Sequence, residues 1–386
     1  MNTRLSNQRH LFDVPHDVAY FDCGNLAPQL RSVRAAAEHA LARGAAPWTI
    51  GDDDWFSEVE ELRTLFARLI GADAEGVAVI PATSYGLAVA AHNVSGSRGD
   101  RVLLIADDYP SSVHTWRAWT RRTGAEMHTI EREQGQSWTD ALLEALDERV
   151  RVVSVPNVHW IDGALIELPL VGERAREVGA LFVVDATQSL GALSLDVSAV
   201  RPDFLVAAGY KWLLGALSVA YMFVGEEHRS GRPIEENWIN RAGSEDAAGL
   251  TAYSDEYRPG ARRFDVGQRT NFNLVPMAIA ALRQILEWRV EDIAPSLART
   301  TSRIEREARL RGLAVPSADQ RGPHLLGISV PANRRASIGL QLAEANVFVG
   351  MRGQAMRVSP HLHATEGDID RLFQALDRVS QRRRPN

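Results

Sequence analysis

Apolar runs of strand length alternate with stretches of helical periodicity through the middle of the chain. The runs predict β-strands at 76–80, 101–106, 125–130, 150–155, 181–184, 203–207 and 219–224. Helical patterns lie between most of them, for example at 116–122, 140–148 and 170–178. Alternation of this kind is typical of an α/β fold with right-handed crossovers. The pattern therefore predicts a large domain built on a mostly parallel, seven-stranded sheet.

The pattern changes towards the end of the chain. Residues 276–289 predict a helix, and a longer helix follows at 293–311. A smaller α+β unit comes next, with strands predicted at 325–330, 347–349 and 355–358 and a helix near 338–345. We therefore predict an N-terminal segment (1–50) that packs on the small domain, a large domain (51–290) and a small C-terminal α+β domain (291–386).

The composition is that of a soluble globular protein, with 45% hydrophobic and 24% charged residues among 386. The net charge of −6 argues against a nucleic-acid partner. The single cysteine, Cys23, allows no internal disulfide and no cysteine-rich metal site. No apolar stretch has the length of a membrane span, and the N-terminus lacks the apolar core of a signal peptide. We therefore expect a cytoplasmic protein without metal, membrane or nucleic-acid partners.

One acid and one lysine follow two consecutive predicted strands. Asp185 follows the run at 181–184, and Lys211 follows the run at 203–207, within the sequence Gly-Tyr-Lys-Trp. In an open parallel sheet, ligands bind outside the carboxyl ends of the strands. Pyridoxal phosphate (PLP) needs a carboxylate at its ring nitrogen and a lysine that binds its aldehyde carbon as a Schiff base. We therefore interpret Asp185 and Lys211 as a catalytic pair.

The alternative is that Asp185 caps a helix and that Lys211 lies in a surface loop. Two observations favour the functional interpretation. Both residues follow strands that are too apolar for an exposed position. Lys211 is also the only lysine in the sequence, so a solvated position would be expected to carry arginine like the rest of the chain.

Polar residues after the other strands are candidates for contacts with such a cofactor. Thr83 and Ser84 begin a helix, and a helix N-terminus attracts phosphate, although a capping role is the more common one. Tyr210 is a further candidate phosphate ligand. Tyr109 either stacks on the cofactor ring or covers a turn.

Three more residues are candidates for the ring oxygen and for the substrate. Asn157 and Gln188 could hydrogen-bond to the phenolic oxygen, with an Asx turn as the alternative for Asn157. Arg357 ends a short strand of the small domain. Its planar guanidinium suits a substrate carboxylate, with a surface salt bridge as the alternative.

Four segments carry a resemblance to a known family: VVDATQSLG, AAGYKWLLG, RRFDVGQRTNF and MRVSPHLHATEGDID. From Tyr20 to Arg371 the chain resembles the class V aminotransferase and cysteine desulfurase superfamily of fold-type I PLP-dependent transferases. The motif Gly-Tyr-Lys-Trp-Leu resembles the one found in the branch of the superfamily that contains isopenicillin N epimerase-like enzymes, C–S lyases and kynureninase-like proteins.

The resemblance implies a role for each candidate. It places Lys211 on the aldehyde carbon, Asp185 at the pyridinium nitrogen, and Tyr109 on the ring face, where relatives often carry histidine. The other implied contacts are Gln188 and Asn157 at the phenolic oxygen, Thr83, Ser84 and Tyr210 at the phosphate, and Arg357 and Gly24 at the substrate. The segment with Gly267 and Gln268 would reach the phosphate of the neighbouring subunit, which implies a homodimer.

The sequence departs from the family pattern at three places. Desulfurases carry a catalytic cysteine shortly before the carboxylate-binding arginine, but that region, 349–355, has none here, and Cys23 lies elsewhere. A persulfide mechanism is therefore disfavoured. Ala208 replaces a serine that contacts the phosphate in desulfurases. Residues 215–218 read Gly-Ala-Leu-Ser, where relatives frequently have Gly-Pro.

These residues predict a PLP-dependent enzyme that acts on an amino acid. The Lys211 amine would transfer the α-proton, once burial and charge have lowered its pKa. A class V aminotransferase is the favoured interpretation, with a β-eliminating C–S lyase or an epimerase as alternatives. A non-catalytic PLP-binding regulator or scaffold is disfavoured because both Lys211 and Asp185 are present and the net charge is negative.

Overall fold

The computed structural model describes residues 5–133 and 135–381, which form a large and a small β-sheet with surrounding helices. The strands are β1 (Ala19–Phe21), β2 (Val77–Ile80), β3 (Arg101–Ile105), β4 (Glu126–Ile130), β5 (Val150–Pro156), β6 (Leu181–Asp185), β7 (Phe204–Ala208), β8 (Ala220–Val224), β9 (Leu326–Ser329), β10 (Val347–Arg352) and β11 (Ala355–Val358). The helices are α1 (Arg31–Gly44), α2 (Ser57–Ile70), α3 (Thr83–Asn93), α4 (Pro110–Thr123), α5 (Trp138–Ala145), α6 (Leu168–Glu177), α7 (Val197–Val200), α8 (Leu274–Trp288), α9 (Val290–Leu310), α10 (Arg335–Glu344) and α11 (Glu366–Gln381).

The large sheet has seven strands in the order β2-β8-β7-β6-β5-β3-β4. The pairs from β7 to β4 are parallel, whereas β8 runs antiparallel to both of its neighbours. Consecutive residues face opposite cores, as Val183 and Val184 do in β6. Because both faces are covered, the strands read as continuous apolar runs. The predicted mostly parallel, seven-stranded sheet is confirmed.

Local capping decides where two of the predicted helices begin. The helix predicted from residue 116 begins at Pro110, whose fixed φ suits the first helical turn. The helix predicted from residue 140 begins at Trp138, because the Ser137 hydroxyl accepts a hydrogen bond from the Asp140 backbone N–H at 3.0 Å. Both signals lie outside the apolar periodicity, which is why the pattern placed these starts too late.

The small sheet has the strand order β1-β10-β11-β9 and a core of its own, which includes Phe21, Ile328 and Met356. Strand β1 pairs in parallel with β10, so the start of the chain joins the C-terminal unit. Helix α1, by contrast, packs against α8. The N-terminal segment therefore contacts both halves of the molecule and can carry residues into the region between them.

The part of the chain that the structure describes contains neither a membrane-crossing helix nor a cluster of metal ligands. Within 5–133 and 135–381, no helix combines the length and the apolar composition that a membrane crossing needs. In the same ranges, no three His, Cys, Asp or Glu side chains are grouped so that they could hold a metal ion. Cys23 is a free, fully buried thiol.

Candidate active site

A cavity of about 280 Å³ lies at the carboxyl ends of the parallel strands of the large sheet. Its walls come from the loops that follow β2, β3, β5, β6 and β7, and from the segment that leads into β8. The residues selected from the sequence that line it are Thr83, Ser84, Tyr109, Asp185, Gln188, Tyr210 and Lys211. Residues from distant parts of the chain thus meet where ligands bind in open α/β sheets.

Asp185 is the last residue of β6, and its carboxylate lines the cavity. Its Oδ1 accepts a hydrogen bond from the Thr187 backbone N–H at 2.9 Å. The Thr187 hydroxyl accepts a hydrogen bond from the Ala208 backbone N–H at 3.1 Å, which ties the ends of β6 and β7 together. Burial raises the pKa of Asp185, while the hydrogen bonds from Thr187 and the nearby Lys211 act in the opposite direction. A carboxylate in this position favours a cationic partner.

Lys211 follows β7 by three residues and is 6% exposed. Burial is the main cause that lowers the pKa of its amine from 10.5 to about 8, and the guanidinium groups of Arg357 and Arg352 lower it further. The Asp185 carboxylate opposes this shift. The lowered pKa increases the fraction of neutral amine near neutral pH, and only the neutral amine is nucleophilic or accepts a proton.

Two aromatic rings flank the Lys211 amine. Its Nζ lies 5.4 Å from the ring centroid of Tyr109 and 5.6 Å from that of Tyr210. The ring of Tyr109 packs edge-on against Trp160, with centroids 5.5 Å apart and an angle of 85° between the planes. Tyr109 and Trp160 both line the cavity, so a planar ligand bound at Lys211 would meet an aromatic wall.

The N-terminus of α3 forms one end of the cavity. Thr83 and Ser84 are the first residues of this helix, and neither hydroxyl has a hydrogen-bond partner within the described residues. The helix lies close to the sheet at Gly86, where an added Cβ would be 2.6 Å from Cγ1 of Val206 in β7. The unpaired N–H groups and hydroxyls of this turn suit a phosphate.

The amide orientation of Gln188 follows from its partners. The Trp212 indole N–H, which can only donate, lies 3.0 Å from Gln188 Oε1. The Gly24 carbonyl, which can only accept, lies 2.9 Å from Gln188 Nε2. These two bonds fix the oxygen and nitrogen positions and leave one N–H of Nε2 available. Gln188 is therefore a hydrogen-bond donor in the wall of the cavity.

Arg357, in β11, is 1% exposed and lies between the loop after β1 and the strand β10. Its Nη2 lies 3.0 Å from Asp22 Oδ1, and its Nη1 donates to the Trp160 carbonyl at 3.0 Å. A Cβ added at Gly24 or at Gly350 would lie 3.2 Å from Arg357 Nε, so both glycines make room for the guanidinium. The positive charge of Arg357 is thus already paired with Asp22.

Five of the selected residues are not among the described residues that line the cavity: Gly24, Asn157, Gly267, Gln268 and Arg357. Arg357 and Gly24 lie behind its wall, where the Gly24 carbonyl accepts from Gln188 and Arg357 donates to the Trp160 carbonyl. The Asn157 side chain donates to the Ile166 carbonyl at 3.2 Å, and Asn157 is not among the described residues that line the cavity. Gly267 and Gln268 also lie outside it, and the Gly267 N–H donates to the Glu235 carboxylate. The roles of these five residues stay predictions.

Comparison with known proteins identifies the family. The model of the family "Aminotransferase class-V" matches residues 52–372, which is most of the chain. The chain belongs to the class-V aminotransferase family. Because this family is PLP-dependent, the predicted enzyme class and cofactor are confirmed.

Two relatives of this class-V aminotransferase family member are about 25% identical to it in sequence over most of their length. The uncharacterized aminotransferase YcbU of Bacillus subtilis is 26% identical over 331 residues, 85% of each chain. Isopenicillin N epimerase of Streptomyces clavuligerus is 25% identical over 342 residues, 83% of this chain and 84% of that one. A lysine-to-alanine mutant of C-DES, with glycine covalently linked to its PLP cofactor, superposes with a TM-score of 0.87 at 18% identity, over 97% and 99% of the two chains. This last similarity shows the fold.

The described residues fit the PLP of the class-V aminotransferase family. One cavity contains a carboxylate, Asp185, that would pair with the ring nitrogen, an amine, Lys211, that would bind the aldehyde carbon, and a helix N-terminus at Thr83 that would hold the phosphate. When bound, PLP supplies an electron sink for the bonds of an amino-acid α-carbon. The protein supplies orientation and a proton-transfer group.

Sequence reasoning missed two polar residues at this site. Asp108 lines the cavity, accepts a hydrogen bond from the Tyr109 N–H at 2.7 Å, and has its pKa raised by burial to about 7. The acidic pair Asp107–Asp108 directly after a buried strand was the available signal. Asp22 pairs with Arg357 across 335 residues, and no local pattern indicates that contact.

Proposed function

We propose that this enzyme transforms an amino acid at its α-carbon, with Lys211 as the residue that binds PLP covalently and then moves the α-proton. The observation that carries the proposal is the meeting of Asp185 and Lys211, from adjacent strands, in one cavity. The lowered pKa of Lys211 supports both of its roles, because each role requires the neutral amine.

The other cavity residues support the proposal by their chemistry. Thr83, Ser84 and Tyr210 would hold the phosphate, and Tyr109 would lie against the ring. Gln188 would donate its free N–H to the phenolic oxygen, and Asp185 would keep the ring nitrogen protonated. Arg357, with Gly24 beside it, would hold the α-carboxylate of the substrate through its remaining donors.

Transamination is the favoured reaction, and β-elimination or epimerisation are the alternatives. Each reaction begins with removal of the α-proton by the Lys211 amine, so the residues described above serve all three. The class-V family supports transamination, while a lyase is also consistent with the relatives.

The test is a screen of amino acids against the purified protein loaded with PLP. Expected results are an absorbance band in the visible or near-ultraviolet, a change of that band with a preferred amino acid, and a product that identifies the reaction. A 2-oxo acid together with the aminated cofactor indicates transamination, ammonia with a 2-oxo acid indicates elimination, and the enantiomer indicates epimerisation. A protein that takes up no PLP contradicts the proposal.

The rate at which the protein binds PLP covalently should depend on pH, because it follows the fraction of the Lys211 amine that is neutral. Because its pKa is lowered to about 8, the neutral fraction, and with it the rate, should rise with pH and reach half of its maximum near pH 8. The measurement is stopped-flow absorbance after cofactor-free protein is mixed with PLP over pH 6 to 10. A blocked free lysine serves as the control, since it should follow the ordinary pKa. A midpoint shared by protein and free lysine would contradict a lowered pKa.

We also propose a cytoplasmic homodimer in which Gly267 and Gln268 complete the partner's phosphate site. Their position outside the cavity of their own chain supports this arrangement, as do the exposed side chains Trp48, Trp55 and Trp238. The buried free thiol of Cys23 is in keeping with a reducing compartment.

Subunit complementation tests the shared site. Gln268→Glu should weaken PLP binding at the partner's site by repulsion, and Lys211→Ala should inactivate the chain's own site. Mixed dimers of these two inactive variants contain one intact site, so random mixing should restore about a quarter of wild-type activity. Activity assays after the variants are unfolded and refolded together, with each refolded alone as the control, give the result. Absence of any recovery in dimers shown to be mixed would contradict the shared site.

A further inference from the structure

A second arginine lies beside Arg357 on the same face of the small sheet. In the hairpin of β10 and β11, Gly350 pairs with Arg357 and Arg352 pairs with Ala355. Because side chains alternate along a strand, Arg352 shares its face with Gly350. Val349 and Met351 occupy the other face, where they pack on the small-domain core. Arg352 and Arg357 are diagonal neighbours, a separation of about 7–8 Å that long side chains span.

Hydrogen bonds connect this face of the hairpin to the wall of the cavity, although Arg352 and Arg357 are not among the described residues that line it. Arg357 donates to the carbonyl of Trp160, a residue of the cavity wall. Arg352 Nη2 lies 3.2 Å from Oδ1 of Asn25, which follows Gly24, the hydrogen-bond partner of Gln188. Both guanidinium groups also lower the pKa of the Lys211 amine, which is in keeping with these contacts.

The two arginines differ in their charge partners. Arg357 pairs with Asp22 at 3.0 Å, so its positive charge is balanced within the protein. Arg352 donates only to neutral oxygens, those of Asn25 and Met351, and no carboxylate within the described residues forms an ion pair with it. The net charge of the group formed by Asp22, Arg352 and Arg357 is therefore +1, which matches one substrate carboxylate.

We infer that Arg352 is a second carboxylate-binding residue, which joins Arg357 in holding the α-carboxylate of the amino-acid substrate. Arg357 fixes the position of the carboxylate through its buried donors, and Arg352 supplies the uncompensated charge. Unlike Arg357, Arg352 is only half-buried, so it can exchange its bond to Asn25 for a bond to the substrate. This inference rests on the proposed function.

Glycine and glycinamide provide the test, because they differ only in the carboxylate. Their dissociation constants are measured from the absorbance change of the PLP-loaded protein, with concentrations expressed as free amine. In Arg352→Gln, the affinity for glycine should fall about tenfold or more, the loss typical of a charge-assisted contact, while the affinity for glycinamide should not change. Arg98→Gln is the matched control. It removes the same charge from an exposed loop that precedes β3, at the end of this strand that faces away from the cavity.

Asp22→Asn provides the decisive second variant. Asparagine keeps an acceptor for Arg357 but removes the balancing charge, so Arg357 gains the charge that Arg352 supplied. The double variant with Asp22→Asn and Arg352→Gln should therefore regain most of the affinity for glycine that Arg352→Gln loses. A rescue of this kind is not expected if Arg352 only stabilises the hairpin.

Three outcomes would overturn the role of Arg352. The first is an unchanged affinity of Arg352→Gln for glycine, and the second is an equal loss of affinity for glycine and for glycinamide. The third is a loss of affinity confined to amino acids with a second carboxylate, which would place Arg352 at the substrate side chain. In each of these cases the cofactor band is present and responds to amines, so the proposed function stands. A protein without that band, or with a band that no amine changes, would contradict the proposed function itself.

Discussion

Replacing Lys211 by alanine is expected to abolish covalent retention of PLP and to reduce turnover by about 10²–10⁴-fold through loss of proton transfer alone. The cavity contains no other amine that could substitute, because Lys211 is the only lysine in the sequence. Wild-type protein loaded with PLP should lose its absorbance band on treatment with borohydride and gain a stable adduct on the peptide that contains Lys211. The Lys211→Ala protein should show neither the band nor the adduct.

The single lysine also allows a sharp control. Arg98→Lys places a new amine in an exposed loop that precedes β3, at the end of this strand that faces away from the cavity. Borohydride should still modify Lys211 alone in this variant, because only the amine in the cavity has a lowered pKa and a binding site for PLP around it. An adduct of similar yield on the new lysine, or a reducible band in Lys211→Ala, would show that PLP binds nonspecifically.

The fold could be predicted from the sequence because the strands of the large sheet are buried on both faces. Apolar runs such as Phe204–Ala208 have no polar position that would confuse a strand with a loop. Asp185 and Lys211 were found for the same reason, since each is the polar residue that ends a run or follows it. The two ends lie close together because β6 and β7 are neighbours in the sheet, as consecutive strands usually are.

The contacts that the sequence did not reveal are long-range ones. Gln188 meets Gly24 across 164 residues, and Arg357 meets Asp22 across 335 residues. These contacts exist because the loop after β1 passes between the two sheets, a consequence of the parallel pairing of β1 with β10. Periodicity within a short window carries no information about such a contact, so the partners of Gln188 and Arg357 required the structure.

The hairpin of the small domain gives a structural reason to disfavour a persulfide mechanism. The strand predicted at 347–349 extends to Arg352, because pairing with β11 continues as far as Ala355. Only Gly353 and Gln354 connect the two strands, so the region lacks a long loop that could bring a cysteine to the substrate. Cys23 is fully buried, and burial raises the pKa of its thiol, which opposes formation of the nucleophilic thiolate.

Replacing Asp185 by asparagine is expected to separate cofactor binding from catalysis. The isosteric amide keeps the hydrogen bond from the Thr187 N–H but removes the charge that would pair with the protonated ring nitrogen. Breaking a buried charge pair in this way costs about 3–5 kcal/mol, which corresponds to about 10²–10⁴-fold in turnover at about 1.36 kcal/mol per tenfold change. Bound PLP, measured after release by denaturation, should fall far less than the turnover number, measured with the preferred amino acid.

Asp108→Asn shows whether this effect belongs to Asp185 or to any carboxylate in the cavity. Asp108 also lines the cavity, but its Oδ1 accepts a hydrogen bond from the Tyr109 N–H at the start of α4, and burial raises its pKa to about 7. Because a group with that pKa is partly protonated at neutral pH, neutralising it should reduce turnover much less than Asp185→Asn does. Equal losses in the two variants would mean that the cavity needs negative charge in general. A loss confined to Asp185 would mean that the charge is needed at the end of β6, which is the proposed position of the ring nitrogen.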